Sequence, residues 1–379
     1  MTVFMNSTNS ALSAVPLSHL TPLATTVMPD EVEEDCANSH IVSVEAIMSF
    51  QQNTDCILLV CTIFSAFLQV YVMAAALKHI KKKTSDKCMH VFLFSMTFAD
   101  FLLTALCYPV ELAPRAGLIP RVPRFLNQTM HISCWVALIV SSVSLVFLNV
   151  DKLFYFRFPL RYNTMFTQSR AIALVTGSWI FSVLFVFFAW LTESFDCVDE
   201  DCLTLAIFPN KLFIYIPFMV FVGVIPTVTS LIVAIYIMKV VSQHRKQMAE
   251  ERALCQSLSP GQRALCQSLS PGRSNSVFTT RMRTFYFIFM TTVFTAITLL
   301  PYRLAGLQRS INPGRMHDCV TILSFWIMMY MIYLNSIINP LLTVTVLPQY
   351  RIEFFNIFFR CGNAPQKRDS ATTANTVDL

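Results

Sequence analysis

Five polar side chains interrupt sequence that is otherwise apolar. Asp100 breaks the run FADFLL, Ser141 lies within ALIVSSVSLVF, and YLNSIINPLL brings Asn335, Ser336 and Asn339 together just ahead of Pro340. A carboxylate in such surroundings must be neutralised, hydrated or paired. Hydroxyl and amide oxygens converging on it would make a set of hard ligands able to hold a small cation with water. The alternative is a hydrogen-bonded polar core with no ion. The seven histidines are scattered and no metal-ligand spacing recurs, so no enzyme constellation is legible.

The elements that must bring these groups together are long apolar runs. Apolar residues form 55% of the 379-residue chain and charged residues 13%, about half of the ~25% typical of soluble domains. Runs long enough to cross a ~30 Å hydrocarbon layer as helices fall near 56–79, 90–113, 130–156, 171–192, 212–241, 282–307 and 319–345. The expected fold is therefore an all-α membrane protein, a bundle of seven transmembrane helices spanning 55–347. Residues 1–54 read as a largely disordered extracellular segment without the basic-then-apolar pattern of a cleaved signal. Residues 242–280 read as a flexible cytoplasmic loop, 348–361 as a short amphipathic helix and 362–379 as a disordered tail.

Charge sets the expected orientation. Lys78, Lys81, Lys82, Lys83 and Lys87 follow the first run, and Arg157, Arg161, Arg170, Lys239, Arg245 and Lys246 follow the third and fifth. Those loops are expected to face the cytoplasm. Acidic residues gather on the other side, at Asp30 to Asp35 and at Glu193 to Asp201. The N-terminus is then outside and the C-terminus inside the plasma membrane, and the net charge of +6 is a topology signal that calls for no nucleic-acid partner. Asn6 in NST and Asn127 in NQT are glycosylation triplets on the outer side, the second close to the membrane.

Only cysteines outside the cytosol can form lasting disulfides; the candidates are Cys36, Cys197, Cys202 and Cys319, with Cys134 a little below the outer end of the third run. The cytoplasmic loop carries the tandem repeat RALCQSLSPG, whose Ser, Pro and Gly content reads as a flexible linker; Ser276 beyond it is a kinase candidate. The segment LPQYRIEFFNIFFRC would lay Phe354, Phe355 and Phe358 in lipid, with Cys361 placed for a palmitoyl anchor.

The third run ends in VDKLFYFRFPLRY, which resembles the cytoplasmic end of the third helix in rhodopsin-like (class A) G-protein-coupled receptors. Further matches follow in order: FADFLL with Asp100 and then Pro109, Trp179, Pro226, LLPY with Pro301, and NSIINP with Pro340. The resemblance covers roughly residues 55–361. It implies that Asp151 restrains Lys152 until a heterotrimeric G protein engages Lys152, that prolines 226, 301 and 340 kink their helices, and that Asp100, Ser141, Asn335, Ser336 and Asn339 hold an allosteric sodium ion; no other cofactor is implied. Positions 134, 138, 141, 145, 148 and 152 share one helical stripe, joining Cys134, the polar core and Lys152.

Several residues depart from the family pattern. Lys152 replaces an arginine and loses its planar fork, Leu153 replaces a tyrosine, Thr343 stands where a switching tyrosine is usual, Leu299 takes the place of the toggle tryptophan, and Gln69 that of an asparagine. Counting back from Asp151 puts the family's disulfide position at Asn127. The chain is therefore expected either to pair Cys197 with Cys202 and Cys36 with Cys319, or to raise Cys134 to a loop cysteine through a helix irregularity.

Cys134 also stands where amine receptors carry an aspartate, which argues against a biogenic amine. Glu111 and Arg303 point toward the outer cavity, and they either pair with each other or leave Arg303 to offer donors to a carboxylate or amide terminus. Trp326, Tyr330 and Tyr333 are expected to line the same cavity. The leading reading is a peptide receptor, of the neuropeptide kind, with a lipid or other small ligand as an alternative. The rivals are a seven-helix decoy that binds without signalling and, against the absence of internal repeats, an ion-coupled transporter.

Overall fold

The computed structural model describes residues 43–82, 87–119, 122–192, 195–197, 205–207, 216–217, 219–257, 272–311, 319–347 and 349–351. Seven helices among them are long and apolar enough to cross a membrane. The first is Val44–Lys81, begun by the Ser43 hydroxyl, which accepts from Ala46 N–H at 3.2 Å, and ended by Lys78, His79 and Lys81, which complement the negative end of the helix dipole. The second runs Lys87–Leu102, passes through a π-helical turn at Leu103–Cys107 and continues as Tyr108–Arg115. The third is Arg124–Arg157, followed by a short helix Pro159–Met165. The fourth is Gln168–Leu191. A two-stranded hairpin pairs Phe195–Cys197 with Leu205–Ile207. The fifth helix enters through a π-helical turn Met219–Val224 and runs Ile225–Ser257; the sixth is Gly272–Ile311 and the seventh Cys319–Val346.

Several boundaries differ from those read off the sequence. Hydropathy marks only the stretch that lies in lipid, whereas a helix continues into water wherever its residues favour it. The 44–54 stretch assigned to a disordered N-terminal segment is helical. The third helix starts six residues earlier than its apolar run, at Arg124. The loop expected at 242–280 is helical to Ser257 and again from Gly272, because KQMAEERALC is rich in strong helix formers; residues 258–271 lie outside the described residues. The expected amphipathic helix also lies mostly outside them, with a helical start at 349–351.

Two apolar clusters fill the bundle. One includes Tyr108, Leu112, Trp135, Val186, Met219 and Trp326; the other includes Phe92, Leu145, Leu148, Phe287, Val344 and Tyr350. The polar side chains fall between them, since Asp100 separates Met96 of one cluster from Leu103 of the other and Ser141 separates Val140 from Leu145. Side chains such as Phe64, Phe67, Phe181 and Ile232 point outward and remain exposed, as lipid-facing residues do.

Candidate functional site

Pro340 organises the polar layer. Lacking an N–H, it leaves the carbonyl of Ser336, four residues earlier, without its intrahelical donor. The first helix supplies replacements: Gln69 Nε2 donates to Ser336 O at 3.0 Å, and Ser65 Oγ reaches Ile337 O at 3.0 Å and Ser336 O at 3.5 Å. Gln69 Oε1 in turn accepts from Thr104 Oγ1 on the second helix. The glutamine that departs from the family pattern thus uses its extra reach to join three helices. Sequence reading marked the departure but missed the role, although a buried amide in an apolar run was the available signal.

Asp100 is 1% exposed. Its Oδ1 accepts from Ser141 Oγ at 2.8 Å and its Oδ2 from Asn339 Nδ2 at 2.8 Å. Asn339 Nδ2 also donates to Asn335 Oδ1 at 3.1 Å, and Asn335 Nδ2 donates to Thr298 Oγ1 at 2.9 Å, which brings the sixth helix into the network. Ser336 Oγ lies 3.4 Å from the Tyr108 hydroxyl. All five residues singled out in the sequence therefore meet in one layer. Each carboxylate oxygen keeps a lone pair beyond the bond it accepts, and Asn339 Oδ1 is buried with no hydrogen-bond partner among the described residues. One carboxylate with neutral oxygens suits a hard monovalent cation with water. No group of three or more His, Cys, Asp or Glu that could hold a metal ion occurs among the described residues.

A cavity opens beyond this layer, at the end of the bundle away from Lys152, lined by Glu111, Cys134, Tyr333 and Arg303 together with Trp135, Met219, Leu299 and Tyr302. Two expected lining residues are not there. Trp326 sits under Arg115, whose guanidinium carbon is 5.5 Å from the ring centroid. Tyr330 packs edge-on against Phe50 and donates to Gln51 O at 3.4 Å. Both turn toward the first helix because Asp55, missed in the sequence, draws Arg115 there through a 2.9 Å ion pair. Glu111 pairs with Arg115 at 3.6 Å, while Arg303 turns to Gly223 O at 2.6 Å and Ser142 Oγ at 3.3 Å; the Glu111–Arg303 pair foreseen as one alternative is not formed.

Asn127 sits in the first turn of the third helix and is only 4% exposed. One of the two disulfide alternatives fails. Cys134 is a free thiol, buried ten residues into a continuous helix, so no irregularity lifts it to a loop. Cys56, Cys61, Cys88 and Cys107 form no disulfide either. Cys197 ends the first hairpin strand, in register with Leu205, and Cys319 opens the seventh helix; Asn6, Cys36, Cys202 and Cys361 lie outside the described residues.

At the opposite end, Lys152 Nζ lies 3.1 Å from Asp151 Oδ2, an ionic contact without the alignment of a hydrogen bond, and both side chains are buried. Tyr162, on the short helix after the third, donates its hydroxyl to Asp151 Oδ1 at 2.7 Å. Asn149 Nδ2 donates to Thr292 Oγ1 at 3.0 Å and ties the third helix to the sixth. Neither Tyr162 nor Asn149 was picked out in the sequence; an asparagine inside SLVFLNV was the visible clue. The prolines stand where expected. Pro301 and Pro340 are inside their helices, and Pro226 is the second residue after a π-helical turn.

Residues 69–342 match the family model described as 7 transmembrane receptor (rhodopsin family). The G-protein coupled receptor aex-2 of Caenorhabditis elegans is 26% identical over 306 residues, covering 79% of this chain and 82% of the relative.

Proposed function

The chain belongs to the rhodopsin family of seven-transmembrane receptors, and from that premise we propose that its ligand is an extracellular peptide. Membership makes it a multi-pass cell-surface receptor that signals through a G protein, in a family of receptors and not of enzymes. The observation that carries the finer reading is the cavity itself: mostly aromatic and aliphatic, with Arg303 and Glu111 on its wall, it suits an apolar side chain beside a polar terminus. The lysine- and arginine-rich loops support a cytoplasmic face at the Lys152 end, and the acidic outer segments favour peptides with basic residues by steering.

In this account the ligand shifts an existing equilibrium. The resting state keeps Lys152 against Asp151 and Asp100 within its network, with a hydrated sodium ion as the cation the layer would hold through Asp100 and the neighbouring side-chain oxygens. In the active state the sixth helix bends at Pro301, and Lys152 meets the G protein. The test is a peptide library applied to cells expressing the chain, read by surface binding before and after alkylation of Cys134. Binding that alkylation blocks, and that Cys134→Ser protects, supports the peptide site; binding indifferent to both would move the ligand elsewhere. A second reading, a decoy that binds without signalling, is favoured by Lys152, Leu299 and Thr343 standing where the family uses other residues; signalling by a bound peptide would exclude it.

A further inference from the structure

The sixth helix carries Leu299 and, one turn on, Arg303, both facing the cavity. Arg303 lies two residues beyond Pro301, which deprives the Ile297 carbonyl of its donor and weakens the helix there. Arg303 Nη1 donates to Gly223 O at 2.6 Å and Nη2 to Ser142 Oγ at 3.3 Å. One guanidinium therefore ties the sixth helix to both the fifth and the third, immediately outward of the weak point.

The fifth helix is built to receive it. Gly223 lies in the π-helical turn Met219–Val224, where the regular hydrogen-bond ladder is interrupted. A methyl group at Gly223 would stand 3.0 Å from Arg303 Cδ and 3.3 Å from Nη1, so any larger residue would push the side chain off its present path by a few tenths of an ångström. The Gly223 carbonyl also accepts from Thr227 Oγ1 at 2.9 Å, which holds it in place. Because the same side chain lines the cavity, a ligand there competes with the carbonyl for the guanidinium. A carboxylate wins that competition, since it meets the guanidinium with two parallel bonds and an opposite charge, whereas the Gly223 carbonyl is a single neutral acceptor.

We propose that Arg303 is a latch closing the sixth helix onto Gly223 and Ser142, and that the ligand group which opens it is a carboxylate. This inference rests on the receptor reading and assigns the chemistry of its trigger.

The test uses the full chain, purified in lipid nanodiscs, with genetically encoded spin labels at Ser169 and Tyr286 to follow the sixth helix against the fourth. Phenylpropionate at millimolar concentration is the probe, with phenylpropionamide as its neutral twin. Without any probe, Arg303→Gln is expected to raise the long-distance population about ten-fold, the order expected for one lost charged-donor hydrogen bond. Gly223→Ala, which keeps the arginine but crowds it, should do the same and serves if Arg303→Gln fails to fold. Phenylpropionate should lengthen the distance in the parent protein and not in Arg303→Gln, and phenylpropionamide in neither. Distances in a folded Arg303→Gln or Gly223→Ala protein that match the parent's would overturn the latch. An amide as effective as the acid, or an acid without effect, would overturn the carboxylate. Opening of the sixth helix without G-protein release in cells would leave the latch standing and sink the signalling reading instead.

Discussion

Replacing Gln69 by leucine removes a side chain of similar volume that makes two hydrogen bonds. The Ser336 carbonyl, already deprived by Pro340, would keep only Ser65 Oγ at 3.5 Å. Thr104 Oγ1 would lose Gln69 Oε1 but retain the Asp100 carbonyl at 3.0 Å. A stranded buried acceptor costs about 1–3 kcal/mol, although interhelical hydrogen bonds in bilayers average ~0.6 and reach ~1.7. We expect a loss of about 1–2 kcal/mol, or roughly 2–8 °C in Tm for a domain of this size. The buried reduced cysteines Cys88, Cys107 and Cys134 provide the signal, because a thiol-reactive fluorophore reports their exposure on heating. Pro340→Ala supplies the control by giving residue 340 an N–H that can satisfy Ser336. In that background Gln69→Leu should cost about 1 kcal/mol less, a coupling well above the ~0.3–0.5 kcal/mol scatter of independent sites. An equal loss in both backgrounds, or no loss at all, would refute the claim that Gln69 serves the proline-orphaned carbonyl.

Three other outcomes are expected. Tyr162→Phe removes the 2.7 Å bond to Asp151, worth about 1.5–3 kcal/mol for a charged acceptor, and should raise basal G-protein activation several-fold at matched surface level; unchanged basal activity would deny Tyr162 a part in the resting state. Exchanging choline for sodium should stabilise the parent by about 1 kcal/mol at a few times the ion's Kd and leave Asp100→Asn indifferent, measured by the same thiol melt. Without glycosidase treatment, the Asn127→Gln variant should run at the same gel mobility as the parent, as expected of an acceptor buried in the helix; a faster-running variant would show a glycan at Asn127.

The bundle was legible because seven apolar runs state their own length, and Asp100, Ser141, Asn335, Ser336 and Asn339 announced themselves by polarity in lipid. Helix ends were less legible. Nothing in hydropathy marks where Arg124 or Ser257 stops being helical, since those turns are held by propensity and by water. Four of the six expected residues line the cavity, and the other two miss it for a physical reason: Tyr333 and Trp326 share a helix, but Arg115, paired with the unforeseen Asp55, holds Trp326 beneath it, and Tyr330 packs against the first helix. The grip of Arg303 on Gly223 depends on a missing Cβ and a π-helical turn in another helix, neither of which spacing can express.

The central claim is that Lys152, held by Asp151 at rest, is the residue that engages the G protein. It is tested most directly by G-protein dissociation in cells expressing the parent chain, Lys152→Arg and Lys152→Ala at equal surface density, across the main Gα classes. The account predicts activation by the parent, activation at least as strong with arginine, and none with alanine. Full activation by Lys152→Ala would contradict it.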